Sequence, residues 1–323
     1  MSYTQLIGEN LVCELCPHRC KISEGRSGIC GVRLNEGGEL SLPYYGSTSS
    51  LAVDPIEKKP LYHFYPGSTI FSVGFFGCNF HCPFCQNYTI SQRVEKRKQI
   101  SPESLVEMAC ESGSFGIAYT YSEPLIHFEY VQKAAELAHS RGLKNVLVSN
   151  GHLNPEPAKE LLSIVDAANI DLKSFNPDFY RKELGGNFDS VLEFLSIASK
   201  KTSLEVTTLV IPGKNDSDQE INQIAQFVSS LDSQIPLHLS CYYPTYKYSV
   251  GATPTERIVD LTGIAGEILE YVYPGNVGLR ESNTFCPDCG SLLIRRAGYY
   301  TSVVGIKDGR CSSCENPIPI VGV

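Results

Sequence analysis

The sequence contains no tryptophan, no low-complexity tract and no apolar run of the length that a transmembrane helix requires. Its first residues, from Met1 to Gln5, are polar and lack the layout of a secretory signal peptide. These absences predict a soluble, cytoplasmic protein. The chain also lacks an excess of positive charge, because 27 lysines and arginines oppose 35 aspartates and glutamates and give a formal net charge of −8. This balance disfavours broad attraction to nucleic acid or to an anionic membrane.

The length and the cysteine content bound the class of protein. A chain of 323 residues accommodates one barrel of about 200 to 250 residues with small appendages as well as it does two domains. The 13 cysteines, in a chain without an export signal, indicate metal binding or redox chemistry in a reducing compartment rather than disulfide bonds.

The cysteines fall into three sets and two isolated residues. The N-terminal set is Cys13, Cys16, Cys20 and Cys30, the central set is Cys78, Cys82 and Cys85, and the C-terminal set is Cys286, Cys289, Cys311 and Cys314. The isolated Cys110 and Cys241 are interpreted as small apolar core residues. For Cys241, which ends an apolar run, a position facing a site is the alternative.

The central set follows a strand-like run and has the spacing C-x3-C-x2-C. A cubane iron-sulfur cluster that is held by three cysteines leaves one iron open to a small molecule, whereas four cysteines close every position. The alternatives are a zinc site completed by a residue such as His81, or three structural thiols. They are less favoured, because structural zinc sites are closed by four ligands.

Apolar runs of strand length alternate with helical patterns between the central and C-terminal cysteines. The predicted strands are 69–74, 116–121, 145–149, 168–172, 203–211 and 236–240, and the predicted helices begin near residues 102, 130, 155, 188, 216 and 255. This alternation predicts an α/β fold, a partial (β/α)6 barrel with small N-terminal and C-terminal cysteine-rich, metal-binding appendages. We place the boundaries at 1–67 for the N-terminal segment and connector, 68–280 for the barrel and 281–323 for a zinc-ribbon or rubredoxin-like module. In such a barrel the site forms at the C-terminal ends of the strands.

The central motif, with the aromatic Phe84 before its last cysteine, resembles that of the radical SAM superfamily. The resemblance implies a [4Fe-4S] cluster on Cys78, Cys82 and Cys85 whose open iron chelates S-adenosylmethionine. An electron from the reduced cluster then splits the sulfonium and releases a 5′-deoxyadenosyl radical. Phe84 is expected to pack near the adenine.

Residues at three strand ends are candidates for contacts to S-adenosylmethionine. Many radical SAM enzymes carry Gly-Gly-Glu after the second strand; here Tyr121 and Ser122 replace both glycines, while Glu123 is kept. We expect Glu123 near the cofactor, with an ordinary surface carboxylate as the alternative. Ser149 and Asn150 follow the third strand and can hydrogen-bond a ribose or carboxylate, although a plain turn explains them almost as well.

Two later strands add further candidates. Asp171 and Lys173 lie two apart and point the same way, and the run resembles the Asp-x-Lys of pyruvate formate-lyase activating enzyme. They are expected to touch S-adenosylmethionine, with an isolated salt bridge as the alternative. His238 lies among leucines, and a core histidine and a cofactor contact are equally favoured. The connector 34–67 is expected to be ordered, with its charged pairs solvated by default or placed near the cluster.

Several segments together resemble the radical SAM member of the AmmeMemoRadiSam system, a family similar to pyruvate formate-lyase activating enzyme. They include 13–20, 54–60, 85–92, 119–124 and 283–290. The resemblance implies the fold and the cofactor but not the substrate. It implies Memo-like and AMMECR-like proteins as partners, and the chemistry requires an electron donor such as flavodoxin or ferredoxin.

The two outer cysteine sets predict further metal sites. The C-terminal set forms two C-x2-C knuckles about twenty residues apart, which is typical of a four-thiolate zinc or iron site. Iron there would allow electron relay. The N-terminal set is less regular and predicts a second iron-sulfur cluster or zinc, with His18 as an alternative ligand.

These features favour an enzyme that abstracts hydrogen by radical chemistry. The substrate classes are a glycyl residue of a partner enzyme, as in an activase, or a different protein or small molecule. The rival interpretation is a non-catalytic scaffold that three metal sites organise for binding.

Overall fold

Short hairpins precede the main sheet in a computed structural model that describes residues 3–277 and 282–323. The strands β1 (Thr4–Ile7), β2 (Asn10–Cys13) and β3 (Lys21–Ile22) form one antiparallel sheet, and β4 (Leu34–Glu36) pairs with β5 (Glu39–Ser41). The boundary expected between residues 280 and 281 lies outside the described residues.

A sheet of eight strands forms the centre of the molecule. Its members are β6 (Ser50–Pro55), β7 (Thr69–Gly74), β8 (Gly116–Thr120), β9 (Lys144–Ser149), β10 (Ala167–Asp171), β11 (Ser203–Val210), β12 (Leu237–Cys241) and β13 (Val272–Gly275). They lie side by side in sequence order, with β6 antiparallel to β7 and all other pairs parallel. The six predicted strands are confirmed. The edge strands β6 and β13 were missed, because each contains a proline, which weakens the sequence pattern of a strand.

Helices connect the parallel strands, as the alternating pattern predicted. They are α1 (Tyr88–Ser91), α2 (Pro102–Glu111), α3 (Phe128–Ser140), α4 (Pro155–Leu161), α5 (Pro177–Phe179), α6 (Phe188–Ala198), α7 (Asp218–Leu231) and α8 (Thr255–Gly266), with one-turn segments at Ile56–Lys58, Pro124–His127 and Tyr180–Leu184. The Ser101 hydroxyl accepts the Ser104 N–H at 3.1 Å and starts α2. Gly142, with φ of +75°, follows the end of α3. None of the helices in the described ranges has both the length and the apolar character needed to cross a bilayer.

The two faces of the central sheet differ in chemistry because successive side chains alternate between them. One face is apolar and packs on the helices; it includes Val73, Ile117, Leu147, Val206, Leu239 and Cys241. At the N-terminal ends of the strands, the opposite face is covered by Ile56, Leu61 and Phe64, which pack on Ile70 and Ala118. The packing role expected for Cys241 agrees with its complete burial.

The connector between residues 34 and 67 corrects an expectation from the sequence. Three of the four charged residues at 54–59 are not a solvated surface, because Asp54, Glu57 and Lys59 are buried, whereas Lys58 is exposed. The Asp54 carboxylate accepts hydrogen bonds from Lys58 at 2.8 Å and from Lys59 at 2.7 Å. The Glu57 carboxylate accepts the Gly67 N–H at 2.7 Å. These bonds fold the connector against the inner face of the sheet.

The C-terminal module is attached to the same connector. Its strands are β14 (Thr284–Phe285), β15 (Leu292–Ala297), β16 (Tyr300–Val303), β17 (Ile306–Lys307) and β18 (Arg310–Cys311). The buried Arg296 donates to the Tyr62 carbonyl and to the Thr284 hydroxyl, each at 2.7 Å. Further along, the Val321 N–H donates to the His63 carbonyl at 2.9 Å. The appendage is thus bonded to the residues that cover the lower end of the sheet.

Candidate active site and metal centres

A cavity of about 360 Å³ lies at the C-terminal ends of the parallel strands. Five neighbouring parallel strands, β8 to β12, each place a residue on its wall, in order Thr120, Val148, Asp171, Thr207 and Ser240. The volume falls in the range of about 300 to 1,000 Å³ that is common for small-molecule sites. Its position is the one predicted for a site in this class of barrel.

All three central cysteines lie on the wall of this cavity. The Cys78 sulfur accepts the Phe80 N–H at 3.3 Å and lies 3.7 Å from the Asn150 amide nitrogen. The Cys85 sulfur lies 3.2 Å from the Ser91 hydroxyl. Donors of this kind stabilise thiolates that are bound to a cluster.

His81 does not join the three thiols. Its ring is exposed, and Nδ1 lies 2.8 Å from the Gln92 side-chain oxygen. The described residues that line the cavity include no histidine and no fourth cysteine. The arrangement therefore does not support the zinc alternative with His81 as the fourth ligand.

Glu123 lines the cavity and joins the ends of β8 and β9. One carboxylate oxygen accepts the Ser149 hydroxyl at 2.7 Å and the Leu125 N–H at 3.0 Å. The other oxygen accepts the Asn150 N–H at 2.9 Å. Burial raises the pKa of Glu123 to about 7, although all three donors favour the carboxylate. Glu123 thus fixes the positions of Ser149 and Asn150, the other two residues predicted here.

Asn150 lies in a chain of amides that the sequence did not single out. Its side-chain nitrogen donates to the Asn79 side-chain oxygen at 2.9 Å, and the Asn79 amide donates to the His152 carbonyl at 2.8 Å. Asn79 follows Cys78 directly and is fully buried. These bonds hold the cysteine loop against the end of β9. The position of Asn79 inside the cysteine motif was the only available signal for its role.

Asp171 and Lys173 both line the cavity and also pair with each other. The Lys173 ammonium lies 2.7 Å from the Asp171 carboxylate. Burial alone would lower the pKa of Lys173, but the charge and hydrogen bond of Asp171 together with the nearby Cys82 and Tyr180 outweigh it, and the net pKa is raised. The Lys173 charge also lowers the pKa of the Cys82 thiol, against the larger effect of burial, which raises it to about 12. A fixed cation therefore lies close to the central cysteines.

Tyr121, which replaces a family glycine, keeps a glycine-like backbone. Its φ of +70° is unusual for a bulky residue. Its hydroxyl donates to Asp54 at 2.5 Å, the Lys59 ammonium lies 4.4 Å from its ring centroid, and its carbonyl accepts the Asn87 amide at 2.6 Å. Tyr121, Lys58 and Lys59 line the cavity. The sequence indicated a contact between the connector and the site only as an alternative, because the connector is rich in charged and aromatic residues.

Two of the predicted cofactor residues have different outcomes. Phe84 lines the cavity and packs on Phe179 and Tyr248, with ring centroids 6.1 and 5.6 Å away. His238 is not among the residues that line the cavity, so its position favours the core-histidine alternative over a cofactor contact. It is buried lower in the sheet, and its Nε2 lies 2.6 Å from Glu205. Because β12 places His238 beside the β11 carboxylate, the ring completes a buried polar pair.

The C-terminal cysteines form a compact four-sulfur site. The ligand atoms of Cys286, Cys289, Cys311 and Cys314 all lie within 4.8 Å of one another. Cys286 and Cys314 are 3.6 Å apart, and Cys289 and Cys311 are 3.7 Å apart. A tetrahedral ion with metal-sulfur bonds of about 2.3 Å requires sulfur separations of about 3.8 Å. The site therefore fits a single zinc or iron ion.

Replacing Cys286 by serine is expected to lower the bound metal by about one equivalent per chain, because a four-thiolate site loses most of its affinity with one ligand. Elemental analysis of the purified protein measures this change. Cys110→Ala is the control, since Cys110 lies on α2 outside every set. Unchanged zinc and iron content in Cys286→Ser would contradict the assignment.

The N-terminal cysteines also meet at one place. Cys13, Cys16, Cys20 and Cys30 line a second, small cavity together with Leu15, Ile22 and Ile126. His18 lies at the same cavity, but its Nε2 is 2.7 Å from the Asn79 carbonyl.

Comparisons with known proteins agree with this geometry. Residues 72–228 match the family model of the radical SAM superfamily. An uncharacterised protein of Methanocaldococcus jannaschii is 40% identical to this chain, and the alignment covers 99% of this chain and 98% of the length of that protein. The pyruvate formate-lyase 1-activating enzyme of Escherichia coli is 23% identical, and the alignment covers 58% of this chain and 79% of the length of that enzyme.

Among solved structures, TYW1 with a bound lysine-pyruvate adduct superposes with a TM-score of 0.51 at 19% identity, over 70% of this chain and 88% of that one. This likeness concerns the fold alone. The match of residues 72–228, taken with three cysteines on the cavity at the head of a parallel sheet, shows that this chain contains a radical SAM superfamily domain.

Proposed function

We propose that this protein abstracts hydrogen from a substrate with a radical generated from S-adenosylmethionine. When bound, a [4Fe-4S] cluster supplies the electron that cleaves the sulfonium and releases a 5′-deoxyadenosyl radical. The observation that carries the proposal is the set of three thiols on one cavity wall, where the described residues provide no further cysteine or histidine. Superfamily membership implies both the cluster and S-adenosylmethionine.

The residues of the site fit this pair of cofactors. Cys78, Cys82 and Cys85 would hold the cluster, and the donors at Phe80 and Ser91 are placed to hydrogen-bond its thiolates. In our proposal Lys173 pairs the methionine carboxylate and Asp171 accepts from its ammonium or from ribose hydroxyls. Ser149 and Asn150 supply further hydrogen bonds, and Phe84 supplies an apolar surface for the adenine.

Glu123 has a different role in this proposal. Both of its oxygens are already engaged by Ser149, Leu125 and Asn150. It therefore acts as a positioning residue, which holds the end of β9 in the orientation that the cofactor requires. The replacement of the family glycines supports this view. Glycines would let the cofactor approach the backbone closely, whereas here the Tyr121 side chain anchors the loop to Asp54.

The substrate is proposed at the level of its class. The similarity to pyruvate formate-lyase activating enzyme supports a glycyl residue of a partner enzyme. The motifs that resemble the AmmeMemoRadiSam system support instead radical modification of another protein or a small molecule, with Memo-like and AMMECR-like partners. Either activity needs a one-electron donor such as flavodoxin or ferredoxin. Partner capture by the anaerobically purified holoenzyme, followed by mass spectrometry, separates the two.

Anaerobic reconstitution with iron and sulfide tests the proposal itself. We expect a brown protein that forms 5′-deoxyadenosine from S-adenosylmethionine after reduction with dithionite. The scaffold alternative instead predicts zinc at every site and no turnover. A reconstituted, folded protein that produces no 5′-deoxyadenosine with any reductant would exclude the radical chemistry.

Lys173→Met is expected to weaken S-adenosylmethionine binding by about 10- to 100-fold, because a charge-assisted hydrogen bond contributes about 1.5 to 3 kcal/mol. Equilibrium dialysis with the reconstituted protein measures the dissociation constant. Lys182→Met is the matched control, since Lys182 pairs with Asp178 on the exposed surface. Equal affinities for the two variants would remove Lys173 from the proposed site.

A further inference from the structure

We propose that Cys13, Cys16, Cys20 and Cys30 bind a second iron-sulfur cluster, located directly behind the loop that carries Cys78. This inference goes beyond the proposed function, because it concerns a separate set of ligands. The sequence left an iron-sulfur cluster and zinc as alternatives at this site, and the proposal selects the cluster.

The spacing of the thiols is the first argument. Within residues 3–277 and 282–323, the group of ligands placed to hold a single metal ion is the C-terminal quartet, whose ligand atoms all lie within 4.8 Å of one another. The N-terminal thiols nevertheless line one common cavity. A cluster places several irons and sulfides between its cysteines, so it holds them further apart than one tetrahedral ion does. The N-terminal thiols do not form such a single-ion group among the described residues, and we therefore assign them to a cluster rather than to zinc.

A buried cation at the cavity is the second argument. Arg33 lines the cavity and is only 1% exposed. Its two terminal nitrogens donate to Glu129 at 2.7 and 2.8 Å, whereas its Nε has no hydrogen-bond partner among the described residues. A buried N–H without a partner is costly. A cluster sulfur provides both an acceptor for this donor and the negative charge that favours a buried guanidinium.

The backbone around the thiols is the third argument. The Ile29 N–H donates to the Cys20 sulfur at 3.5 Å. Such donors tune and stabilise iron-sulfur clusters. The Nε2 atom of His18 already hydrogen-bonds the Asn79 carbonyl. We therefore assign the four cysteines as the ligands, rather than a set in which His18 replaces one of them.

The site lies next to the active-site loop. A Cβ added to Gly77 would lie 2.5 Å from the Cys30 carbonyl oxygen, so the two backbones are in direct contact there. Gly77 precedes Cys78, and its φ of +82° suits glycine. On the other side of Cys78, Asn79 lines the N-terminal cavity and accepts a hydrogen bond from Asn150. A cluster at this place is separated from the active-site cysteines by little more than one loop.

The test uses the full chain carrying Cys78→Ala, Cys82→Ala and Cys85→Ala, reconstituted anaerobically with iron and sulfide. We expect acid-labile sulfide to remain, at roughly four irons and four sulfides per chain for a cubane or half of this for a two-iron cluster. Adding Cys13→Ala and Cys16→Ala should abolish the sulfide, whereas adding Cys110→Ala should not. Because this background cannot hold the active-site cluster, the result is independent of the proposed function.

The absence of labile sulfide from the folded, reconstituted triple variant would overturn the proposal, because the single zinc or iron of the C-terminal quartet contributes no sulfide. A second measurement keeps all four N-terminal cysteines in place. In the same triple variant, Arg33→Gln combined with Glu129→Gln should lower the reduction potential of the remaining cluster, since a nearby positive charge favours the added electron. Glu129→Gln alone keeps that cation and should not lower it. A potential that is identical in both variants would contradict the contact between Arg33 and the cluster.

Discussion

Cys82→Ala is expected to reduce the formation of 5′-deoxyadenosine to the background rate of a protein-free reaction. Each of the three central cysteines would hold one iron, and the described residues around the cavity offer no cysteine or histidine as a replacement. Cys82 is only 8% exposed, so free thiol from solution cannot readily substitute for it. The product is quantified by chromatography after anaerobic reduction in the presence of S-adenosylmethionine.

Cys110→Ala is the matched control for this experiment. It removes a thiol of the same size from α2, and turnover should remain close to that of the unmodified protein. Iron and labile sulfide should fall by about one cubane in Cys82→Ala alone. Retained turnover in Cys82→Ala would contradict the ligand assignment, even if the iron content had changed.

Asp54→Asn is expected to destabilise the protein by about 3 to 5 kcal/mol, the usual cost of removing one partner from a buried ion pair. The Lys59 side chain is only 2% exposed, and its ammonium lies 2.7 Å from Asp54. The substitution leaves that charge buried without its counterion and weakens the bond that holds Tyr121. Urea unfolding followed by circular dichroism measures the free energy of unfolding.

Asp178→Asn is a suitable control, because Asp178 also pairs with two cations, Arg181 and Lys182, but is 54% exposed. Exposed pairs contribute about 0 to 1 kcal/mol. A loss of similar size in both variants would show that the burial of the Asp54 pair has no energetic consequence.

The pH dependence of stability should also separate the Asp54 variant from the parent protein. Burial acts to raise the pKa of Asp54, but hydrogen bonds from Lys58, Lys59 and Tyr121 outweigh it and the net pKa is lowered. The contribution of Asp54 is therefore present above its unfolded-state pKa of 3.8 and is lost as the pH falls below it. The unfolding free energies of Asp54→Asn and the parent should converge in acid and differ most near neutrality.

The local sequence pattern sufficed for the six inner strands and for the cysteines. Buried parallel strands appear in a sequence as continuous apolar runs. The C-x2-C spacing of Cys286 and Cys289 is itself typical of a four-thiolate metal site. The connector was not predictable in the same way. Asp54 and Lys59 have the composition of a solvated surface, and only the three-dimensional pairing of β6 with β7 brings them under Tyr121.

The role of His238 illustrates a second limit. Its partner Glu205 is 33 residues away and lies within an apolar strand. The choice between a core residue and a ligand depends on the register between β11 and β12, which sets Thr207 beside His238 and brings Glu205 within reach. No local pattern encodes that register. The role of Asn79 was not predictable for the same reason, because its hydrogen-bond partners Asn150 and His152 come from the loop after β9.

The cover on the lower end of the sheet has a practical consequence for making smaller versions of this protein. A fragment trimmed to residues 68–280 would expose Ile70 and Ala118 to water and remove the Tyr62 and His63 N–H groups that donate to Glu205 at 2.8 and 2.7 Å. It would also leave Tyr273 without the Thr284 hydroxyl 2.8 Å away. Genetic truncation to the superfamily core therefore yields an incomplete folding unit, and shortened expression variants need both flanking sections.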